Sequence, residues 1–455
     1  MREISPCPFG VAAQRATRSV ELPASWRCHA SGRSPPASSR SATITRANLG
    51  GFDPSRARVS RLGAVRDFRH CRGMASRRVR ILHAHSTFSL GGKEARAVVL
   101  MNALGERAEH VVITSMPGEI SAREAIAAGN RVAFPADAPA LAGPPSPARL
   151  LRLARYMRGF DLVLSYNWGA FDAVMARRLF GPMLGLPPLI HHEDGFNADE
   201  ANGLLASRNL YRRIGLPAAY RLVVPSRRLE AIALGEWRQK PTRVARIPNG
   251  IAVELYRNEP APDAIPGLER RAGEIVVGTI AGLRPVKNLP RLVRAFAAMR
   301  NRQSRLVIVG TGPESETIAA EARRCRVADR VLMPGFLPNP SEYAGLFDIF
   351  ALSSDSEQFP ISLIEAMAAG LPAVATAVGD VRSIVAADNQ PMIVEPGDEA
   401  AFTAALDTLA ERPDLRRALG RSNRERARAD YDEERMIAMH LALYRGALGD
   451  PEAFA

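Results

Sequence analysis

The sequence predicts an α/β protein made of two doubly wound halves facing each other across a cleft. Three observations predict it. Short apolar, β-branched runs alternate with amphipathic stretches of about 10–15 residues, the mark of βαβ units and parallel sheets. The alternation lapses between Asn249 and Gly273, where five Pro or Gly follow an Asn249-Gly250 turn, as at a domain boundary. It then restarts and continues to the C-terminal helices.

The first 73 residues stand apart. They hold 13 Arg, no Lys and four acidic residues, with Ser, Pro and Ala between them and no sustained periodicity. Such a segment cannot bury enough surface to order itself. It reads as a transit peptide or as an extension upstream of the natural start at Met74, the latter favoured, and disorder is expected over 1–76 either way. Order is expected from Arg77, with strands at Val79–His83, His110–Thr114, Arg131–Phe134, Asp161–Ser165, Pro188–His191, Arg221–Pro225 and Val244–Ile247. Helices are expected at Ala95–Leu104, Ala122–Ala128, Ala148–Met157, Phe171–Leu179, Ser207–Ile214 and from the cap Ser226 to Leu234. In the second half, strands are expected at Ile275–Ile280, Arg305–Val309, Val331–Met333, Ile349–Leu352, Ala373–Thr376 and Met392–Val394. Helices are expected at Pro290–Arg300, from Glu314 to Arg324, and at Ile361–Ala369, Val381–Ala386, Glu399–Glu411, Pro413–Asp430 and Glu433–Arg445.

Composition sets the class. The chain has 455 residues, 46% hydrophobic and 24% charged, which is ordinary globular material. Of the net charge of +14, the leader supplies +9. The body is therefore only modestly basic, which argues against nucleic acid as a partner and leaves a basic face for anionic lipid or phosphorylated substrates. Cys7, Cys28, Cys71 and Cys325 show no ligand spacing, so neither a disulfide framework nor a zinc site is indicated, and a reducing compartment fits. No apolar run approaches the ~20 residues of a spanning helix, and no apolar signal-peptide core is present. A cytoplasmic location is expected, with peripheral contact at the inner membrane face left open.

The chemistry gathers at strand ends of the second half. Open α/β sheets bind ligands there. Four such ends carry Arg284 and Lys287, Gly310-Thr311-Gly312, Gly335-Phe336, and a loop and helix with Glu357 and Glu365. Two cations suit phosphate, Gly-rich turns let backbone approach it, and carboxylates suit ribose hydroxyls. Helix N-termini add anion-binding N–H groups. Taken singly, Arg284 or Lys287 is an ordinary solvated charge, Gly310-x-Gly312 lacks the third Gly of a dinucleotide fingerprint, and Glu365 is an ordinary helix residue. Their joint placement is what points to a nucleoside diphosphate.

Residues 77–450 resemble a GT-B-fold retaining glycosyltransferase of family 4 (glycosyl transferases group 1). The resemblance rests on Glu357-Gln-Phe-Pro-Ile-Ser-Leu-Ile-Glu365-Ala-Met-Ala-Ala-Gly-Leu-Pro, the family's E-x7-E signature. It rests also on Leu283-Arg284-Pro-Val-Lys287-Asn288, Ile247-Pro-Asn249-Gly250-Ile251 and the Gly91-Gly92 loop. It implies two Rossmann-like domains, an acceptor-binding one over 77–248 and a nucleotide-sugar-binding one over 249–430. A C-terminal helix over 431–450 packs back on the first.

The roles it implies are specific. Arg284 and Lys287 neutralise the leaving diphosphate, Glu365 binds ribose and Glu357 holds the transferred sugar. Backbone at Phe359, Pro360 and Ile361 caps phosphate or sugar, Gly335 and Phe336 flank the base, and Gly91 and Gly92 close over the diphosphate. His191 is the expected first-domain histidine, at the end of its strand and facing the cleft, with His192 its rival. The acceptor is expected around Phe88, Trp168, His191–Asp194 and Phe196. No cofactor or metal is implied; the donor is a UDP- or GDP-sugar and the acceptor a hydroxyl of a glycan or lipid-linked glycan.

Departures exist. Ala281-Gly282-Leu283 stands where Gly-Arg-Leu is commonest, with Arg284 placed later, and Gln358 replaces a frequent Gly. Asp355-Ser-Glu357 imitates a metal-binding DxD, rejected because the Arg/Lys pair supplies the needed positive charge. Two other readings fit the architecture, a nucleotide-sugar epimerase and a non-catalytic nucleotide- or sugar-binding protein. An epimerase needs its own acid/base set in the cleft, and the intact Glu357, Arg284 and Lys287 speak against a mere binder.

Overall fold

The computed structural model describes residues 78–454 except 90, 117, 142, 144, 145, 197–199, 201 and 202. The expectation of a disordered segment over 1–76 lies outside the described residues.

Two parallel sheets carry the fold. The first contains β1 (Val79–His85), β2 (Ala108–Thr114), β3 (Arg131–Ala133), β4 (Leu162–Tyr166), β5 (Leu189–His192), β6 (Arg221–Val224) and β7 (Val244–Arg246), in spatial order β3-β2-β1-β4-β5-β6-β7. The second contains β8 (Ile275–Ile280), β9 (Ser304–Val309), β10 (Val331–Gly335), β11 (Ile349–Leu352), β12 (Ala373–Thr376) and β13 (Ile393–Val394), in order β10-β9-β8-β11-β12-β13. Strand order reverses between β1 and β4 in one sheet and between β8 and β11 in the other, and such switch points open a crevice at the strand C-termini. The central strands are covered on both faces, so β4, β8 and β11 read as nearly unbroken apolar runs.

The helices are α1 (Gly92–Leu104), α2 (Pro147–Met157), α3 (Phe171–Leu184), α4 (Ala206–Gly215) and α5 (Arg227–Gly235) in the first half. In the second they are α6 (Leu289–Ala298), α7 (Ser315–Arg324), α8 (Ile361–Ala368), α9 (Val381–Ile384), α10 (Glu399–Glu411), α11 (Pro413–Asp430) and α12 (Glu433–Leu448). Side-chain caps start several of them. Ser146, Ser226, Asn288 and Asp398 accept from the N3 amides of α2, α5, α6 and α10. The expected helix at Ala122–Ala128 is instead a short 3₁₀ turn, Ser121–Ala125, closed off by the Gly129-Asn130 turn. α3 runs five residues past its expected end, through Pro182, and stops at Gly185 in the left-handed conformation (φ 60°).

The chain crosses between the sheets twice, at Asn249–Ile251 and at Tyr431–Glu433. The crossings bond to each other: Ile251 N–H to Tyr431 O and Glu433 N–H to Ile251 O, both at 2.9 Å. A Cβ on Gly250 would lie 2.6 Å from Asp432 O, so only glycine lets the strands touch. α12 then returns to the first sheet, where Met436 and Tyr444 are buried with Ile81, Leu164 and Ile190.

Candidate active site

The switch point of the second sheet brings the loop after β8 against the loop after β11. Lys287 Nζ lies 2.6 Å from Glu357 Oε1, and both side chains are largely buried. Ser354 Oγ donates to the same carboxylate oxygen at 2.7 Å. The two loops are stitched together by Ser353 Oγ to Lys287 O (3.0 Å) and by Asp355 N–H to Val286 O (2.9 Å). Asp355 turns away from Glu357, accepting from Asn288 Nδ2 at 3.0 Å and pairing with Arg291 at 2.7 Å. The DxD-like spelling is thus spent on holding the loop.

Glycines set the depth of the crevice. Gly310 has φ 142°, and a Cβ there would lie 1.9 Å from Ala281 O. Gly379 (φ 54°), beyond β12, would drive a Cβ to 2.1 Å from Glu357 O. Backbone therefore packs directly behind both the cation loop and the Glu357 loop. Arg284 is exposed at the mouth with no ion-pair partner among the described residues. Gly335 (φ 87°) turns the chain out of β10, leaving Phe336 68% exposed on the crevice flank.

α8 starts at Pro360 without a side-chain cap, so the amides of its first turn are available to an anion. α1, starting at Gly91, also lacks a side-chain cap. The two ends meet across the cleft: a Cβ on Gly92 would lie 3.2 Å from Ile361 Cδ1. Phe359 packs edge-on against Tyr431, ring centroids 5.8 Å apart, which fixes the entry to α8. One turn inside α8, Glu365 accepts a hydrogen bond from the buried Tyr256 hydroxyl. Burial, only partly offset by that bond, pushes its carboxyl up to about 7.

On the first sheet two expectations need correction. His191 does not face the cleft. β5 continues through His192, which is paired with Tyr166, so neither histidine lies beyond the strand. Both are fully buried on opposite faces. His191 Nδ1 lies 2.9 Å from Ser165 Oγ with its ring edge-on to Phe171; His192 is stacked between Tyr166 and His440. Phe88, expected beside the acceptor, is also fully buried, against His85 and Phe134. Trp168 and Phe196 are half-buried, with the Arg212 guanidinium over both rings.

Asp194, two residues beyond β5, stands at the cleft edge instead. Its backbone N–H donates to Asn167 Oδ1 at 2.8 Å, and Arg96 of α1 grips its carboxylate through both terminal nitrogens. Arg96 also donates to Asn249 Oδ1 at 2.7 Å. The next residue, Gly195, meets the second half: a Cβ there would lie 3.2 Å from Gln358 Cγ. Asp380 makes a further crossing, accepting from Arg227 N–H (2.6 Å) and Arg228 N–H (3.0 Å) at the start of α5.

Residues 262–426 match the family described as glycosyl transferases group 1, and residues 90–255 match Glycosyltransferase Family 4. The two matches fall in the family's order, one on each sheet. This chain belongs to the family 4 glycosyltransferases. Among its relatives is the GDP-mannose-dependent alpha-(1-6)-phosphatidylinositol monomannoside mannosyltransferase of Mycobacterium tuberculosis, 29% identical over 320 residues, 66% of this chain and 80% of that one. The N-acetyl-alpha-D-glucosaminyl L-malate synthase of Bacillus anthracis is 30% identical over 172 residues, 38% of this chain and 45% of that one. That match spans less than half the relative's length. Of solved structures, Anabaena Alr3699/HepE in complex with UDP superposes with a TM-score of 0.67 at 18% identity, covering 81% of this chain and all of that one. The sucrose-phosphate synthase of Thermosynechococcus elongatus gives 0.65 at 22% identity over 81% of this chain and 99% of its own. The fold is GT-B.

Within this family 4 glycosyltransferase, the structure gathers Arg284, Lys287, Glu357 and the start of α8 at one crevice and sets Gly91 and Gly92 opposite. Arg96, Asn249, Tyr256 and Asp380 were not legible as site residues. Their partners lie 98 to 153 residues away, and although Asn249 belongs to a recognisable motif, no local spacing joins any of the four to its partner.

Proposed function

We infer that this chain moves a sugar from a nucleoside diphosphate sugar to a hydroxyl acceptor, with retention at the anomeric carbon. The observation that carries the reading is the Lys287–Glu357 pair at 2.6 Å, at the β8/β11 switch point beside an uncapped helix start. Breaking the glycosidic bond puts charge on the diphosphate. Lys287 keeps two N–H donors beyond the one on Glu357, Arg284 offers a forked cation at the mouth, and the α8 and α1 amides point from two sides. Such fixed charge needs little reorganisation as the bond breaks. This cationic set serves in place of a metal ion.

Glu357, held by Lys287 and Ser354, is placed beside the reacting sugar, whose oxocarbenium-like charge a carboxylate favours. Glu365, one helix turn deeper, takes the ribose hydroxyls, and Phe336 flanks the base. The acceptor lies on the first-sheet side, near Asp194 and Gly195, where closure excludes water and suppresses hydrolysis. A glycan or lipid-linked glycan is the acceptor class. Support comes from the relatives, one named for GDP-mannose and one solved with UDP.

A thermal-shift panel of UDP, GDP and ADP tests the reading, followed by transfer and hydrolysis assays with sugars of the stabilising nucleotide in EDTA. Stabilisation by one diphosphate and turnover in EDTA are expected. No response to any diphosphate, or a strict need for added Mg²⁺ or Mn²⁺, would overturn it.

A further inference from the structure

The cleft leaves one surface unexplained, the helix layer α2–α3–α4 on one face of the first sheet. These three helices carry eight arginines and a single acid, Asp172. Arg149, Arg208 and Arg212 turn inward onto Asp172, Glu200 and Glu193. Arg152, Arg155 and Arg178 do not: they are exposed and make no hydrogen bond or ion pair among the described residues. Arg152 and Arg155 line an open hollow of about 530 Å³ with Arg149, Tyr156, Pro139 and one acid, Asp137.

Large apolar side chains stand between these cations. Leu179 and Met183 are 52% and 69% exposed on α3, and Leu210 and Ile214 are 57% and 45% exposed on α4. Each pair has i, i+4 spacing and so shares a helix face. The helices lie side by side. A Cβ on Gly215 would sit 2.7 Å from Phe171 Cε1, and Arg177 Nε donates to Ala218 O at 3.0 Å. The two apolar pairs therefore stand on neighbouring helices of one layer. Four of the ten large exposed hydrophobic residues among the described ones are these.

We propose that the α2–α3–α4 face docks on an anionic lipid surface. Unpaired arginines interleaved with single apolar side chains suit the headgroup boundary, where guanidinium groups meet phosphates and the apolar tips enter the outer acyl region. Arg152, Arg155 and Arg178 carry no ion pair of their own among the described residues, a positive charge that the phosphates of an anionic lipid surface complement. Among the described residues no helix is long and apolar enough to cross a membrane, so the contact is with a surface.

Co-sedimentation of the full chain with large vesicles tests this, using phosphatidylcholine alone or with about 30% phosphatidylglycerol. Binding to the anionic vesicles, weak binding to the neutral ones and release by salt are expected. L210E/I214E is expected to lower partitioning on the order of tenfold at every salt concentration, and R155E/R178E to flatten the salt dependence. Both variants should keep wild-type diphosphate thermal shifts, which reports intact folding, because neither touches the crevice. Equal binding to both vesicle types, or undiminished binding by both variants, overturns the proposal. So does a wild-type dimer that L210E/I214E splits without any vesicle binding, since the occupant is then a second copy.

Discussion

Glu365 shows how one side chain couples proton and ligand. Its carboxyl is raised from 4.5 to about 7, chiefly by burial, with the Tyr256 hydroxyl pulling the other way. Between those values the folded chain holds a proton that the unfolded chain has released. This group's contribution to stability therefore falls as pH rises through that window, and Glu365→Gln should remove that part of the slope. Ribose hydroxyls donating to the carboxylate favour its ionised form. Diphosphate binding near pH 7 should then expel a proton, seen as a binding enthalpy that depends on the buffer's ionisation heat. Glu365→Gln should abolish the release and weaken binding by about 1–3 kcal/mol. A buffer-independent enthalpy in the wild type would remove Glu365 from the ribose site.

At the scale of elements, the first sheet hides a column of rings. His83 and His85 of β1, Tyr166 of β4, His192 of β5 and His440 of α12 stack in sequence, the closest pair being His85 and Tyr166 at 4.0 Å. His110 of β2 joins through a 3.0 Å nitrogen contact with His83. Burial lowers all five histidines, His110 to about 4 and His440 to about 3. The unfolded chain protonates first as pH falls below 6.5, so stability is full above that value and declines between about pH 6.5 and 4. Each ring adds to that loss in the same direction, because each is depressed by burial. Denaturant midpoints across the window check the sign, and His440→Phe should flatten the slope. Strand identity in this region was legible from β-branched and apolar runs. The facing of His191 was not, because it is set by tertiary contacts with Ser165 and Phe171 that the local run does not contain. Likewise Arg96, Asp194 and Asn249 come from three separate elements, so no spacing rule could have joined them.

At the largest scale, the described residues form two lobes joined by a narrow double crossing. The E-x7-E stretch and its Arg/Lys loop were readable because each lies on one βα unit, where local sequence fixes local shape. Contacts across the cleft were not readable, since they depend on how the lobes meet. Asp380 is such a contact: a carboxylate of one lobe sits at the N-terminus of α5 in the other, where it completes the cap already begun by Ser226. Asp380→Ala should cost about 1 kcal/mol of stability and raise the radius of gyration of the free protein in solution scattering. Saturating diphosphate should restore the compact form. An unchanged radius would mean that the crossings alone set the lobe arrangement.

If the β8/β11 crevice stabilises a departing diphosphate through Lys287, removing that amine slows transfer without unfolding the chain. Transfer rates for Lys287→Ala, measured with the donor that the wild type accepts, test it most directly. A fall on the order of 10²–10³-fold in kcat is expected, with an unfolding midpoint close to wild type. Wild-type turnover by a folded Lys287→Ala protein would contradict it.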